Sequence, residues 1–342
     1  MDTRLSPEQR ALRDAAAQLV DRLAPKSVAD LDDEERKAKL DAAVAAAGWR
    51  EVRTADEDGG PCASAVEAAL VAEELARGLA DVAYLGPSLA AEPRRLAGAA
   101  AALASETVLL TSDHSALLRT TGMTKGAVAV DAAGANSALL LVESERGPAV
   151  AQVGLTDPLA RVDLTRKELV LEAGVDVQPV GAPLGEQDLR RWTAFGLALS
   201  CADLVGTMRG AVALATDYAA TRRQYGAPIG SFQAVQHLLA DAYVAMEGSR
   251  SIALHAAWAV DALPPAEALT AASVAKAYCA RAARNVCETA IQVHGGIGNT
   301  WECLAHVYLR RALLSSDVLG GAAHSLARVL DAYEIGTDRG LR

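Results

Sequence analysis

Two short stretches of the chain concentrate side chains that could bind an anionic ligand. The first, TRRQYGAPIGSFQAVQ at 221–236, carries two arginines, a tyrosine and three glutamines around a turn. A guanidinium forks onto a phosphate or pyrophosphate through paired N–H donors. The second stretch, IQVHGGIGNTWE at 291–302, has three glycines, and glycine lets a backbone come close to a ligand. Together the two stretches favour a ligand-binding corner.

Each stretch also has a purely structural interpretation. Arg222 and Arg223 fall in the last turn of a predicted helix, where a cation is favourable for the helix dipole alone. Gly226 and Pro228 end that helix, and Ser231 is predicted to cap the next one, with Gln233 in its first turn. A Gly-Gly pair after a helix is usually a terminator. Only the combination of the two stretches favours a binding site.

That combination carries a family resemblance. RRQYGAPIGSFQAVQHLLAD, followed by QVHGGIGNTWE and HVYLRRA, resembles the C-terminal domain of the acyl-CoA dehydrogenase family over most of 187–324. In that family these segments hold the adenine dinucleotide half of an FAD that is bound mainly by a neighbouring subunit. The resemblance therefore implies FAD as cofactor. It assigns the cofactor contacts to Arg222, Phe232, Gln233, Gln292, Gly295 and Gly296.

The same resemblance implies an acyl-CoA substrate, whose α-proton a carboxylate abstracts while the flavin accepts the β-hydride. Most of the family places this base just before a glycine that follows the R-[RD]-A segment, and here that position is Leu319. A second branch places it near the start of the helix that leads into the arginine corner, and here that position is Gly196. Neither residue can act as a base. Glu247, Glu302 and Asp317 remain as weak candidates, each with a structural interpretation.

A second departure from the family lies in 108–126. Similar chains have there a threonine-glutamate-proline segment and a glycine-serine-aspartate loop that contact the flavin ring. The sequence VLLTSDHSALLRTTGMTKG lacks that pattern. The loop that would touch the reactive ring is therefore predicted to be lost.

Other chemistries find little support. Glu302 and His306 have the spacing of half a metal site, but di-iron bundles need two Glu-x-x-His pairs and two more glutamates. The cysteines Cys62, Cys201, Cys279, Cys287 and Cys303 are odd in number and lack C-x-x-C spacing, so we expect neither zinc nor disulfides. Six histidines without a Ser-His-Asp context give no case for hydrolysis. We expect no metal.

Length and composition set further bounds. With 342 residues, 51% of them hydrophobic, the chain can form two or three packed units. A net charge of -10 without a clustered basic face argues against nucleic acid. The N-terminus lacks the basic and apolar regions of a secretion signal, and no apolar run reaches the ~18 residues of a membrane span. These features predict a cytoplasmic protein.

Hydrophobic periodicity changes twice along the chain. Helices are predicted at 7–23, with a capping box at Ser6, and at 32–47, 63–77 and 93–103. Glu73 and Glu74 lie where similar chains carry an acidic pair, and we interpret them as a solvated helix face. Short strands are predicted at 107–111, 126–131, 138–143, 149–153, 159–164 and 168–171. From 186 onward long helices return, and Pro264-Pro265 separates two of them.

The predicted fold class is mainly α with a central β domain, as in acyl-CoA dehydrogenases. The predicted domains are an N-terminal helical domain at 1–104, a small antiparallel β-barrel or sandwich at 105–183, and a C-terminal four-helix bundle at 184–342. The alanine-rich bundle helices carry more apolar stripe than one four-helix core consumes. We therefore expect the chain to associate with itself or with a partner subunit through its bundle, and to form a tetramer.

The functional hypothesis is a subunit that keeps half of an intersubunit FAD site and lacks the base. It is similar to the short subunits of actinobacterial heterotetramers that act on steroid side-chain CoA thioesters, in which a longer partner carries the catalytic glutamate. One alternative is a self-sufficient homotetrameric dehydrogenase, or a related flavin monooxygenase, with a relocated base. Another is a structural subunit that binds no flavin. Flavin absorbance of the chain, alone and with its partner, discriminates among the three.

Overall fold

The computed structural model describes residues 4–102, 105–120, 126–155, 163–171 and 177–335. Helices come first, then short strands, then long helices, which confirms the predicted fold class. The helices are α1 (Pro7–Leu23), α2 (Glu34–Ala46), α3 (Ala65–Arg77), α4 (Leu85–Leu96), α5 (Glu186–Thr221), α6 (Gln233–Ala262), α7 (Pro265–His294), α8 (Ala305–Asp317) and α9 (Ala322–Ala332). The strands are β1 (Glu106–Leu110), β2 (Arg119–Thr120), β3 (Ala127–Ala129), β4 (Ser137–Ser144), β5 (Gly147–Gly154), β6 (Leu169–Leu171), β7 (Gln178–Pro183), β8 (Arg223–Gln224) and β9 (Ala227–Pro228).

Local signals set the ends of the first three helices. Ser6 and Gln9 form the predicted capping box of α1, with Pro7 at its first position. Asp33 caps α2, and Gly48 follows that helix with a φ of 66°, a conformation that favours glycine. Ser64 caps α3. The predicted helices therefore exist within one or two residues of their expected bounds.

The prediction for the fourth helix, 93–103, was wrong, because α4 runs from Leu85 to Leu96. Its first turn is capped from far away in sequence, since the Asp131 carboxylate accepts the N–H groups of Tyr84 and Gly86. Pro93 lies inside the helix and cannot donate to the carbonyl of Leu89. The indole N–H of Trp192 on α5 donates to that carbonyl instead, at 2.9 Å. Tertiary contacts therefore replace both of the missing local signals.

The sheet is mixed rather than purely antiparallel as predicted. Its order is β6-β3-β1-β4-β5-β7, and β2 pairs with β4 off this path. β4 pairs in parallel with both β1 and β2, whereas the remaining pairings are antiparallel, including the long β4–β5 hairpin. The predicted strand at 159–164 falls largely outside the described residues, and 163–164 are not strand. Two strands of this sheet, β2 and β7, were not predicted, and neither was the separate β8–β9 hairpin.

Glu73 and Glu74 correct another prediction, because both are buried rather than solvated. Arg209 of α5 pairs with both carboxylates, and Arg250 of α6 pairs with Glu73. Burial raises the pKa of Glu73 against the opposing effect of these two arginines. The acidic pair faces inward because α3 packs closely on α5, where a Cβ on Gly206 would come within 2.0 Å of the Glu73 carbonyl oxygen.

The C-terminal helices pack around α5. The length and composition of α5 would suit a membrane span, although no span was predicted. However, 83% of its most apolar window is buried inside the protein. α6, α7 and α8 surround it, α9 lies on α7, and α6 ends just before Pro264-Pro265 as predicted. The apolar stripes predicted for α6 and α7 face this core, including Met246, Cys279 and Val286.

Candidate cofactor site

The arginine corner separates two neighbouring arginines that sequence alone treats alike. Arg222 ends α5, and β8 and β9 then form a hairpin whose turn residues Tyr225 and Gly226 both have positive φ, 51° and 81°. The Arg223 guanidinium donates to the Gly226 carbonyl at 3.0 Å, inside this hairpin. The Arg222 side chain is exposed and makes no hydrogen bond or ion pair with any described residue. Arg222 is thus the arginine that is available to a ligand.

The helix start after the corner differs from the prediction. Ser231 does not cap α6, because it lies in a 3-10 turn, Ile229–Ser231, and its hydroxyl donates to the Pro228 carbonyl at 2.7 Å. Phe232 occupies the cap position, which leaves the first N–H groups of α6 without a side-chain cap. Gln233 is the first residue of the helix and is exposed, as predicted for a residue in the first turn. Free N–H groups and a positive helix dipole favour an anion here.

The glycine segment is open to solvent. α7 ends at His294, and Gly295 has a φ of 66° and a ψ of -144°, a backbone conformation that requires glycine. Gly295 and Gly296 are both exposed, and no atom lies within 4 Å of where a Cβ would stand on either one. Gln292 is exposed one turn earlier. A ligand can therefore reach the backbone of this segment directly.

An aromatic stack joins the two motifs, which sequence reasoning missed. Tyr218, one turn before Arg222, stacks on His294 with ring centroids 4.5 Å apart. Nδ1 of His294 lies 2.7 Å from the Ala290 carbonyl oxygen, which fixes the ring. Burial alone would lower the pKa of His294, but contacts with Cys303 and Ala290 outweigh it and raise the pKa. Tyr218, four residues before Arg222, and His294, directly before Gly295, were the sequence signals that could have indicated this link.

The two positions that the resemblance assigns to the base lie together in space. Leu319 follows α8 with a φ of 60° and is 1% exposed. A Cβ placed on Gly196, in the first third of α5, would come within 2.2 Å of Leu319 Cδ1 and 2.9 Å of Leu89 Cδ2. Apolar side chains of this chain fill the space where a carboxylate would have to stand. Leu89 is also fully buried, at 0% exposure.

The weak base candidates do not reach this point. Asp317 is the last residue of α8, only two residues before Leu319, but it is exposed. Glu302 is also exposed, in the segment between the glycines and α8. Glu247 lies half-buried on α6. The structure therefore brings none of the three to the buried contact between Gly196 and Leu319.

Arg328 links the sheet to the bundle near Leu319. Arg328 of α9 donates to the Leu319 carbonyl at 2.9 Å and to the Ser115 carbonyl at 3.3 Å, so it ties the loop after β1 to the bundle. In the same loop His114 lies 3.9 Å from Glu168, whose pKa burial and the nearby Asp163 raise to about 7. The Arg328 guanidinium therefore bridges the loop and the Leu319 backbone. Residues 121–125, in the second half of the divergent region, lie outside the described residues.

A buried polar network lies one helical turn from Gly196 and Leu319. Arg166 and Arg311 both pair with Asp203 of α5, and these charges lower the pKa of Asp203 although burial acts to raise it. Lys276 of α7 donates to Ser200 Oγ at 3.0 Å and to the Ser315 carbonyl at 2.6 Å. This network fixes α5, α7 and α8 around the contact between Gly196 and Leu319.

Metal and disulfide chemistry find no support in the described part of the chain. No group of three or more potential ligands there could hold a metal ion. Glu302 is exposed, whereas His306 is buried against Trp301 with ring centroids 5.2 Å apart, so the two do not form a shared site. All five cysteines are free thiols.

Two regions of the chain match models of one known protein family. Residues 6–101 match the acyl-CoA dehydrogenase N-terminal domain, and residues 194–330 match the acyl-CoA dehydrogenase C-terminal domain. The chain is 31% identical to the acyl-CoA dehydrogenase IpdE2 of Mycobacterium tuberculosis over 80% of each protein. It belongs to the acyl-CoA dehydrogenase family, whose cofactor is FAD.

Other relatives extend this assignment. FadE34 of the same organism is 41% identical over 140 residues, which cover 41% of this chain but only 20% of FadE34. The ChsE4-ChsE5 complex from Mycobacterium tuberculosis shares the fold, with a TM-score of 0.78, 24% identity and 98% of this chain covered against 99% of that chain. A Tcur3481-Tcur3483 steroid acyl-CoA dehydrogenase variant aligns with a TM-score of 0.82 and 24% identity over 96% of this chain and 98% of that chain.

The exposed corner and the contact between Gly196 and Leu319 differ in what they offer to an FAD. The corner offers the exposed Arg222 guanidinium, the free start of α6 and the open backbone at Gly295, which suit a pyrophosphate. The side where a reactive ring would need a carboxylate is packed with Leu89 and Leu319. Neither Leu319 nor Gly196 can therefore supply a base there.

Proposed function

We propose that this chain is the non-catalytic subunit of a heteromeric acyl-CoA dehydrogenase. It supplies Arg222, Phe232, Gln233, Gln292 and the Gly295-Gly296 backbone to the adenosine and pyrophosphate half of an FAD, and a longer partner subunit supplies the catalytic glutamate. The single observation that carries this proposal is the direct contact of the Leu319 side chain with Gly196. The two positions to which the resemblance assigns a base are therefore a leucine and a glycine that pack against each other.

The proposed chemistry of the chain is limited to binding and orientation. FAD, when bound, accepts the hydride from the acyl-CoA thioester. Arg222 would neutralise pyrophosphate charge, and Gln233 and Gln292 would fix the orientation of the adenosine half through hydrogen bonds. No proton transfer is assigned to a residue of this chain.

Two of the solved relatives carry paired chain names, which supports a partner, and one of them is called a steroid enzyme. A steroid CoA thioester is therefore the first substrate to test.

The experiment uses the chain co-purified with the longer acyl-CoA dehydrogenase subunit that the proposal requires. Arg222→Ala should cost about 1.5–3 kcal/mol of FAD affinity, roughly ten- to a hundredfold, because a charge-assisted contact is lost. Arg223→Ala is the matched control, since that guanidinium already serves its own hairpin, and it should leave FAD affinity within about threefold of wild type. Flavin content and acyl-CoA oxidation are measured separately.

Two further variants test the absence of a base. Glu247→Gln and Glu302→Gln should leave turnover of the complex within a few-fold of wild type. If either variant loses turnover by several powers of ten while flavin stays bound, this chain carries the base and is a self-sufficient enzyme. Full flavin occupancy in Arg222→Ala would remove the cofactor half of the proposal and favour a structural subunit.

A further inference from the structure

One cysteine lies near the end of the glycine segment and differs in its surroundings from the cysteines of the bundle core. Cys303 stands two residues before α8. It is 9% exposed, whereas Cys201, Cys279 and Cys287 are 0% exposed. A molecule as small as a peroxide can therefore reach Cys303 from solvent, while the three core thiols are closed to it.

Two groups of the chain stabilise a negative charge on the Cys303 sulfur. The N–H of Ala305, at the start of α8, donates to Sγ at 3.5 Å, and the dipole of that helix also favours an anion there. The His294 ring is hydrogen-bonded to the same thiol. Nδ1 of this ring lies 2.7 Å from the Ala290 carbonyl oxygen, so Nε2 is its remaining polar atom. The stack with Tyr218 holds the ring in place.

These contacts make the thiol more acidic. Burial acts to raise the pKa of Cys303, but the hydrogen bonds with His294 and Ala305 outweigh it and lower the pKa. In the bundle core the outcome is the opposite, because burial raises the pKa of Cys287 and no hydrogen bond offsets it. Since the thiolate is the form that nucleophilic attack and oxidation require, Cys303 is the better nucleophile of the two.

His306 is a second histidine close to Cys303 in the sequence, and its contacts differ from those of His294. Its ring packs edge-on against Trp301, with ring centroids 5.2 Å apart, and Nε2 has no hydrogen-bond partner among the described residues. Burial and the charge of Arg310 lower the pKa of His306, which favours the neutral ring. The neighbouring carboxylate, Glu302, is exposed to solvent. His294 is therefore the group that can exchange a proton with the thiol.

We propose that Cys303 is a redox-reactive thiol that hydrogen peroxide oxidises to a sulfenic acid, with His294 carrying the proton. His294 takes the thiol proton, and the thiolate sulfur attacks one peroxide oxygen. An S–O bond forms and the O–O bond breaks, and the leaving hydroxide takes the proton from His294 and departs as water. Sulfur loses two electrons and the peroxide gains them. This reaction is independent of the proposed function, since neither a partner subunit nor a flavin takes part in it.

The test follows the reaction of individual cysteines of the purified chain with hydrogen peroxide at steps from pH 5 to 9. Each reaction is stopped in urea with dimedone, which labels sulfenic acids, and mass spectrometry of peptides measures the label at each cysteine. At pH 7 Cys303 should react about tenfold faster than Cys62, although Cys62 is the more exposed thiol. The Cys303 rate should also persist to lower pH than the Cys62 rate.

Two matched variants identify the proton carrier. His294→Gln should slow the reaction of Cys303 at pH 7 by about tenfold, because the thiolate loses its partner. His306→Gln, the same substitution at the other histidine, should keep the Cys303 rate within about twofold of wild type. Circular dichroism and thermal melting confirm that each variant is folded.

Three results would overturn the inference. The first is a Cys303 that reacts no faster than Cys62 at pH 7 in the wild-type chain. The second is a folded His294→Gln chain with the wild-type Cys303 rate. The third is an equal loss of rate in folded His294→Gln and His306→Gln. If His294→Gln does not fold, the comparison of Cys303 with Cys62 in the wild-type chain decides alone.

Discussion

Lys276 allows a quantitative test of how a charge is held in the bundle core. The side chain is 0% exposed, and among the described residues it makes no ion pair, only hydrogen bonds to Ser200 and to the Ser315 carbonyl. Burial lowers its pKa from 10.5 to about 8, against weaker opposing effects of Cys201 and Cys279. Since one pKa unit corresponds to about 1.4 kcal/mol, this shift is worth about 3 kcal/mol of folding stability.

The sign follows from proton counting. Below pH 8 both the folded and the unfolded chain hold the lysine proton, and the full burial cost applies. Between pH 8 and 10.5 the folded chain has released a proton that the unfolded chain still binds, so this group makes stability rise with pH. Above that window its contribution is constant.

The assay is urea unfolding of wild type and Lys276→Met at equal concentration, at steps from pH 7 to 11. The free energy of unfolding of wild type, minus that of the variant, should rise by about 3 kcal/mol across the window. Lys26→Met, which removes an exposed lysine, is the control and should show no such rise. A difference that stays flat for Lys276→Met would refute the burial argument.

Two other substitutions probe close packing. Gly206→Ala should lower the free energy of unfolding by more than about 2 kcal/mol, because its Cβ would overlap the Glu73 carbonyl oxygen. Gly154→Ala is the control, since open space surrounds it, and it should change the free energy of unfolding by less than about 0.5 kcal/mol in the same urea titration. Equal effects of the two substitutions would contradict this. Leu319→Glu should not create a dehydrogenase in the isolated chain, and it should destabilise the fold by about 3 kcal/mol at pH 8, because the carboxylate would be buried against Leu89 without a partner. Oxidation of an acyl-CoA by that variant alone would show that the space opens more easily than the packing suggests.

Local chemistry made much of the helical architecture predictable. The capping box at Ser6, the glycine after α2 and the two prolines before α7 act within one turn, so they can be recognised in sequence. α4 could not be placed this way, because its start depends on Asp131 and its internal proline is tolerated through Trp192. The parallel pairings of β4 were missed for a similar reason, since they join strands that are not neighbours in the chain.

The candidate site, too, could be predicted only in part from the sequence. The family motifs located Arg222, Gln292 and the glycines, and the structure leaves these residues exposed. Sequence could not distinguish Arg222 from Arg223, because the difference is a hydrogen bond inside the hairpin. It also could not show that Glu73 and Glu74 are paired with arginines, since Arg209 and Arg250 lie on other helices.

The contact between Gly196 and Leu319 has a consequence for how such chains diverge. Because the two positions share one volume, the size of either residue limits the size of the other. Gly196→Ala should be tolerated only together with a smaller residue at 319, so substitutions there are coupled. A carboxylate at either position would therefore require a smaller residue at the other. In this chain a leucine at one position lies against a glycine at the other.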